Sequence, residues 1–305
     1  MIDLKHHIYS LVGIFIALAT GILIGIGLAG GPATQNKAIE HQSDRIQSLQ
    51  REFKTFSAQL AGKDGKISDL SAHLKEVDGL VESQFAALVQ GGLTGRGVAI
   101  IHVGASSDVE PIRLALKASG AVVHSETTLL PDLLALTPEL MAKGALALPM
   151  AYQQAGKDPL PLIFSYLSMT LAQGLQGDPF AGLKQAGLVD VEGDYAVANR
   201  FVLIVVPSED DAKMIEAIVG PLAAQIKANG LKVAIAAMPS GEPSKDQAAL
   251  RDVWKDVDAA VVKHSDMAMG RVCLVDALLR GEGRYGLGRN ERILPDKITF
   301  GKTGQ

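Results

Sequence analysis

The chain has 305 residues, a formal net charge of −4, 48% hydrophobic residues and only 5% aromatic residues. This length suits a membrane anchor followed by one moderate globular domain or two small ones. The acidic balance excludes a basic nucleic-acid-binding protein, so we expect no nucleic acid partner. The single cysteine, Cys273, excludes an internal disulfide framework and a zinc site built from cysteines alone.

An uncharged segment near the amino terminus is long enough to cross a membrane. No charged residue lies between Ile8 and Asn36, and residues 11–29 are almost wholly apolar. A helix of that length covers about 30 Å of hydrocarbon, whereas a cleavable signal has an apolar region of only about 7 to 15 residues. Small residues near Ala29 leave cleavage open as the alternative. The length predicts a retained anchor, with residues 1–34 forming a cytoplasmic tail and a transmembrane helix.

Small residues recur every four positions along this segment, at Gly13, Ala17, Gly21 and Gly25. This spacing predicts a smooth helix face on which a second helix can pack closely in the membrane. Glycine is also common in membrane helices that do not pair, so the spacing has a second interpretation. Positive charges flank both ends of the segment, and the residues alone therefore do not fix its orientation.

A seven-residue apolar repeat follows and predicts a coiled coil over residues 35–90. The first core position of the repeat is apolar throughout, whereas polar residues interrupt the second. The simplest interpretation is a parallel homodimer, and the alternative is a helix that folds back on its own globular domain. The predicted core residues are Ile39, Ile46, Leu49, Phe53, Phe56, Leu60, Ile67, Leu70, Leu74, Val77, Val81 and Leu88.

Short apolar runs alternate with helical patterns after a glycine-rich break, which predicts a globular domain over residues 91–305. Strands joined by crossover helices are typical of a parallel sheet covered on both faces. We therefore expect an α/β domain with a Rossmann-like, doubly wound parallel sheet, and a mostly helical or irregular segment interrupted by prolines over 131–199. Strands are predicted at 97–103, 121–126, 201–206, 231–236 and 259–262, and helices at 108–119, 210–229 and 267–280.

Motifs for catalysis are absent from the sequence. The turn at 104–108 lacks both the GxGxxG spacing and the ending of a phosphate-binding loop, and there is no GxSxG or HExxH. His102 and His124 lie in or beside predicted strands, where a lone histidine is more often a core residue than a catalyst. We therefore expect a protein that is not an enzyme.

Metal-binding residue types are concentrated at the start of the last predicted helix. His264, Met267, Met269 and Cys273 lie there, close to Asp266. Met269 and Cys273 are four positions apart and share one face of the helix. Thioether and thiolate groups suit Cu(I), which makes Cu(I) the candidate ligand. The alternative is that these side chains fill the buried face of a helix.

The whole order of segments resembles the MctB-like family, usually labelled copper transport proteins. The chain begins MIDLKHHIYSLVGIFIALATGILIGIGL, continues with the heptad repeat, and ends with GRVCLVDALLRGEGRYGLGRNERILP. The most specific features are Gly270-Arg271, Tyr285-Gly286-x-Gly288 and Leu294-Pro295. The resemblance implies a single-pass protein of the plasma membrane, with a cytoplasmic amino terminus, an extracytoplasmic rod and domain, and a role in copper homeostasis.

Some relatives look instead like partners of a cytosolic protein in cell-envelope assembly and cell separation. Two functional hypotheses are therefore open. The first is an envelope protein that handles copper. The second is a dimeric coiled-coil scaffold that positions or regulates an envelope or cell-separation partner.

Overall fold

The computed structural model describes part of the chain, which divides into two compact units, Met1–Leu74 and Lys75–Gln305. All the described strands belong to the second unit. The described residues are 12–18, 20–22, 66, 68–104, 109–135, 137–152, 158–208, 211–239, 253–286 and 291–295.

The first unit is described only in short helical pieces. Gly13, Ala17 and Gly21 lie in helical residues, and Gly25 lies outside the described residues. Across the part of the chain that the structure describes, no helix has the length and apolar character of a membrane span. The anchor therefore stays a prediction. The coiled-coil core residues outside the described ranges are Ile39, Ile46, Leu49, Phe53, Phe56, Leu60 and Ile67.

The second unit opens with helical residues 75–89, here called α1, and continues as an α/β domain. A single turn of 3₁₀ helix at Met150–Tyr152 precedes the longest helix of its central part. The strands are β1 (Gly97–Val103), β2 (Val122–Leu129), β3 (Val189–Gly193), β4 (Phe201–Val206), β5 (Lys232–Ala237), β6 (Ala260–Lys263) and β7 (Arg284–Tyr285). The further helices are α2 (Glu110–Ala118), α3 (Pro131–Leu134), α4 (Pro138–Ala147), α5 (Pro159–Gln173), α6 (Ala181–Gln185), α7 (Ala212–Met214, continued by Ile215–Val219 and Gly220–Ala228) and α8 (Ala268–Arg280).

The seven strands form one sheet in the order β3-β2-β1-β4-β5-β6-β7. Strands β1, β2, β4, β5, β6 and β7 pair in parallel, as the crossover pattern predicts. Strand β1 lies at the point where the strand order reverses, with β2 and β3 on one side of it and β4 to β7 on the other. This is the topology of a doubly wound, Rossmann-like sheet.

The sheet is mixed, which corrects the expectation of a wholly parallel one. Strand β3 pairs antiparallel with β2, through contacts such as Thr127 opposite Val191. It lies at an edge of the sheet and alternates between apolar and charged residues, as is usual for a strand with one solvated face. Prolines between residues 131 and 159 mark helix starts. Pro131, Pro138 and Pro159 each stand in the first turn of a helix, where no backbone N–H is required.

Helix α7 contains a local widening that its continuous apolar pattern does not predict. Residues Ile215–Val219 adopt π-helical geometry directly before Gly220. Pro221 follows and lacks an N–H group, so the backbone loses one hydrogen bond of the regular helix at this point. The predicted single helix over 210–229 is therefore three consecutive helical pieces.

Each face of the sheet is covered by its own apolar core. On β1, Ala99, Ile101 and Val103 face a core shared with α5 and α7, whereas Val98 and Ile100 face a core shared with α2 and α8. This alternation results from the two-residue period of a strand. Burying each large apolar side chain contributes about 1.5–3 kcal/mol, so both faces stabilise the sheet.

The carboxyl end of α1 packs on the second of these cores. Phe85 and Val89 are buried in it, and Val81 and Leu88 lie partly buried against it. Val77, another predicted coiled-coil core residue, is 45% exposed. The fold-back interpretation thus describes residues 81–89, while the predicted dimer contact over the preceding part of the repeat stays a prediction.

Candidate functional site

A small pocket of about 20 Å³ lies where β6 ends and α8 begins. A cavity of this size holds roughly one water-sized body. All four residues that the sequence singled out as metal ligands border it, whereas Asp266 does not. The lining residues are Lys263, His264, Met267, Met269, Gly270, Cys273, Tyr285, Gly286 and Ile293.

The backbone makes a tight turn to form this pocket. His264 has a φ of 53°, in the left-handed region that non-glycine residues rarely adopt. The Ser265 hydroxyl donates a hydrogen bond to the carbonyl oxygen of Ala237 at 3.2 Å, which holds the turn against β5. A Cβ at Gly270 would overlap the carbonyl oxygen of His264 and lie 2.8 Å from its carbonyl carbon. Only glycine therefore allows α8 to start this close to the end of β6.

Cys273 lies on the inner side of the pocket and is 1% exposed. Its Sγ donates a hydrogen bond to the carbonyl oxygen of Ile293 at 3.3 Å. Burial, and to a lesser degree the nearby charge of Asp276, raises the pKa of the Cys273 thiol to about 12. The group is therefore a neutral thiol at pH 7, and a metal ion that binds the thiolate must displace its proton.

The donor set is soft and fits a monovalent copper ion in type. Two thioethers, one imidazole and one thiol border the pocket, and sulfur ligands select Cu(I) over harder ions. Within the described residues, no three His, Cys, Asp or Glu side chains come together as a metal site, so this set depends on its methionines. Lys263 also borders the pocket, but its ammonium pairs with the carboxylate of Glu291 at 2.7 Å.

A hydrogen-bond network around the buried Asp276 includes Tyr285, which lines the pocket. The Tyr285 hydroxyl donates to Oδ2 of Asp276 at 2.6 Å, and Nε of Arg280 donates to Oδ1 of the same carboxylate at 2.9 Å. Burial raises the pKa of Tyr285, with a further contribution from Asp276. Tyr285 consequently stays a donor at neutral pH and holds β7 against α8.

Helix α1, which is distant in the sequence, contacts the first turn of α8 beside the pocket. The Met269 N–H donates to Oδ1 of Asp78 at 3.1 Å, across a separation of 191 residues. Arg271 pairs with Glu82, and its guanidinium lies over the ring of Phe85, 5.2 Å from the centroid. Reasoning from the sequence missed Asp78 and Glu82, because a heptad pattern marks apolar core positions and not the polar residues between them.

A second polar cluster joins the neighbouring strands β1 and β2 to helix α2 and was also missed. His102 is buried, and its Nε2 lies 3.2 Å from Oε2 of Glu126, while Arg113 makes two hydrogen bonds to the same carboxylate at 2.9 and 2.6 Å. The hydrogen bonds from His102 and then from Arg113 lower the pKa of Glu126 to about 2. Of the turn at 104–108, only Gly104 is among the described residues.

These features together define an α/β protein with a Rossmann-like mixed sheet and one small pocket bordered by sulfur and imidazole groups. The chain belongs to the family described as "Copper transport outer membrane protein, MctB", which matches residues 1–295. This confirms the resemblance drawn from the sequence. No curated protein matches the chain.

Proposed function

We propose that this protein handles copper in the cell envelope and binds Cu(I) in the pocket at the start of α8. The observation that carries the proposal is that His264, Met267, Met269 and Cys273 border one pocket of about 20 Å³. The family description, which names copper transport and the outer membrane, supports the same assignment. Binding without catalysis is part of the proposal, since the sequence contains neither a GxSxG nor an HExxH motif.

The chemistry of the pocket favours Cu(I) over divalent ions. One thiolate would balance the single charge of Cu(I), and the two methionines add neutral, polarisable ligands. A divalent ion would retain a net positive charge in a site with little room for water. Copper is cargo in this account, held by Cys273 and the methionines and released when a partner offers a stronger set of ligands.

The proposed location is an envelope membrane, with residues 11–29 as a single helical anchor. The family description speaks of the outer membrane. The length of the apolar segment favours a helical anchor instead, and the resemblance drawn from the sequence implies a plasma-membrane protein with a cytoplasmic amino terminus and an extracytoplasmic bulk. Either location would put the proposed copper pocket in the cell envelope. Fractionation of the plasma and outer membranes, followed by detection of the full chain, distinguishes the two locations. We expect the chain in the plasma-membrane fraction, and recovery with the outer membrane would contradict a single anchor in the plasma membrane.

A Cu(I) titration of the full chain tests the copper proposal. The chain is purified in mild detergent under reducing conditions and titrated against a competing chelator. We expect one Cu(I) per chain, bound more tightly than about micromolar, with an affinity reduced by about a hundredfold or more in a Met269→Leu/Cys273→Ser variant, because two soft ligands are lost.

The matched control is Met214→Leu, which removes a thioether that packs on the opposite core of the sheet. We expect this variant to bind Cu(I) like the original chain. Equal binding by the original chain and the double variant would place the copper elsewhere, and no binding by the original chain would refute the proposal.

A dimeric scaffold is the second candidate, and exposed apolar side chains favour it. Leu70 and Val77 occupy predicted coiled-coil core positions and are 64% and 45% exposed. A second copy of the chain would bury them, as the heptad pattern predicts. We therefore expect Leu70→Glu/Val77→Glu to lower the oligomeric mass in solution, whereas Leu80→Glu, at an exposed position off the seam, leaves it unchanged. A dimer that persists in the double variant would contradict the coiled-coil dimer.

A further inference from the structure

Residues of the first turn of α8 depend on α1 for their hydrogen bonds. The residue before α8, Met267, makes no side-chain cap for the helix. A helix leaves its first N–H groups without partners inside the helix. Here the N–H of Met269 finds its partner in the carboxylate of Asp78, on α1. The backbone of one proposed copper ligand is thus fixed by a residue of the helix that leads into the domain.

Arg271 attaches the neighbouring ligand to the same helix. Its Nε donates to the carbonyl oxygen of Met267 at 3.4 Å, while its guanidinium group pairs with Glu82 and stacks over the ring of Phe85. The side chain of Arg271 is only 11% exposed, whereas that of Glu82 is 53% exposed, so the guanidinium is largely buried while the carboxylate that pairs with it stays open to water. The backbone groups of Met267 and Met269 are therefore both held by α1, one directly and one through Arg271.

Apolar contacts give α1 a defined docked position. Phe85 and Val89 are buried in the core that α8 shares, and Val81 lies partly buried against it. Undocking of α1 would leave the first turn of α8 without its carboxylate partner and would separate Arg271 from both of its α1 contacts. The same movement would therefore loosen the two methionines that border the pocket.

We propose that docking of α1 and binding of Cu(I) in the pocket are thermodynamically linked, with Asp78 as the positioning residue that joins them. This inference rests on the proposed copper function and adds its regulation. A ligand that favours the docked state strengthens docking, and docking strengthens binding by the same factor. The copper load of the pocket thereby controls how firmly α1 holds to the rest of the domain.

The test uses the full chain in mild detergent with three variants. Asp78→Ala removes the acceptor for the Met269 N–H, Asp78→Asn keeps an acceptor oxygen, and Glu76→Ala removes an exposed acidic residue from the same helix as a matched control. Cu(I) affinity is measured by chelator competition, and hydrogen exchange of the amides in residues 75–89 is measured with and without Cu(I).

We expect Cu(I) to slow exchange in residues 75–89 of the original chain by about fivefold or more, and Asp78→Ala to weaken Cu(I) binding by a similar factor. Asp78→Asn should restore most of the affinity, and Glu76→Ala should change neither quantity. A residue with a purely structural role would not make exchange in α1 respond to copper.

Two results overturn the linkage. If the original chain binds Cu(I) but exchange in α1 does not respond to it, the linkage is wrong while the copper function stands, and this readout needs no variant to fold. Unchanged Cu(I) affinity in Asp78→Ala leads to the same conclusion. If the original chain binds no Cu(I), the proposed function fails, and the linkage fails with it.

Discussion

The same substitution is expected to have opposite effects at two glycines of the second unit. At Gly270 a Cβ would overlap the carbonyl oxygen of His264 and lie 3.0 Å from Cα of Ser265. These are backbone atoms, which cannot rotate away, so Gly270→Ala should destabilise the fold by about 2 kcal/mol. At Gly79, on α1, a Cβ meets nothing within 4 Å. Gly79→Ala should therefore stabilise the helix by about 0.5–1 kcal/mol, through the smaller loss of backbone entropy.

Thermal unfolding of the full chain in mild detergent measures both effects. For a domain of this size, about 1 kcal/mol corresponds to a shift in Tm of about 2–4 °C. Gly270→Ala should lower Tm by about 4–8 °C, and Gly79→Ala should raise it by about 1–4 °C. A Gly270→Ala variant as stable as the original chain would refute the close approach of α8 to β6, and a fall in stability for Gly79→Ala would refute the open helical position.

Three further effects are expected from the buried polar groups. Glu126→Gln should lower the free energy of unfolding by about 3 kcal/mol at pH 7, because the pKa of Glu126 falls from 4.5 to about 2 on folding and each pKa unit corresponds to about 1.4 kcal/mol. This difference should shrink as the pH falls from 4.5 towards 2, and denaturation at pH 7 and pH 3 measures it. If Cu(I) binds the Cys273 thiolate, the apparent Cu(I) affinity should rise about tenfold per pH unit between pH 7.5 and 9, because the pKa of the Cys273 thiol without copper is about 12 and its proton must leave on binding. Chelator competition measures this dependence, and an affinity independent of pH would exclude binding to the thiolate. Tyr285→Phe should lower the free energy of unfolding by about 1–3 kcal/mol, because the buried carboxylate of Asp276 loses the hydrogen bond from the Tyr285 hydroxyl. Chemical denaturation measures this loss, and an unchanged stability would contradict the hydrogen bond.

The parallel centre of the sheet was predictable because its strands are continuous apolar runs. Strands β1, β4 and β5 each bury nearly all of their residues, and such runs between helical patterns have few other interpretations. The edges were not predictable in the same way. Strand β7 is only two residues long and β3 is short and half exposed, so neither produces a pattern that stands out from a loop. Each forms because the backbone of a neighbouring strand, β2 or β6, supplies its hydrogen-bond partners.

The candidate site was likewise predictable only in part. His264, Met267, Met269 and Cys273 are close in the sequence, so local spacing on a helix was enough to group them. The residues that hold them in place come from far away, with Asp78 on α1 as the clearest case. A single sequence contains no signal that pairs such distant positions. The same reason applies to the cluster around Glu126, whose partners lie on a different strand and on a helix.

The end of the heptad repeat shows that one apolar pattern is compatible with two kinds of contact. The heptad repeat continues through Val81 and Leu88, and both side chains pack partly on the domain. Phe85 and Val89 lie off the predicted seam and are buried more deeply. The repeat predicted a helix with an apolar face, but it could not say whether a second chain or the chain's own domain covers that face.

X-ray absorption at the copper edge tests whether Cu(I) binds to sulfur ligands at the start of α8. The full chain is loaded with one equivalent of Cu(I) under reducing conditions, and the same measurement is made on the Met269→Leu/Cys273→Ser variant. We expect copper ligands that are mostly sulfur in the original chain, with a nitrogen contribution from His264, and loss of most of the sulfur signal in the variant. A shell of nitrogen and oxygen alone, or a sulfur signal that the variant retains in full, would contradict a copper site at the start of α8.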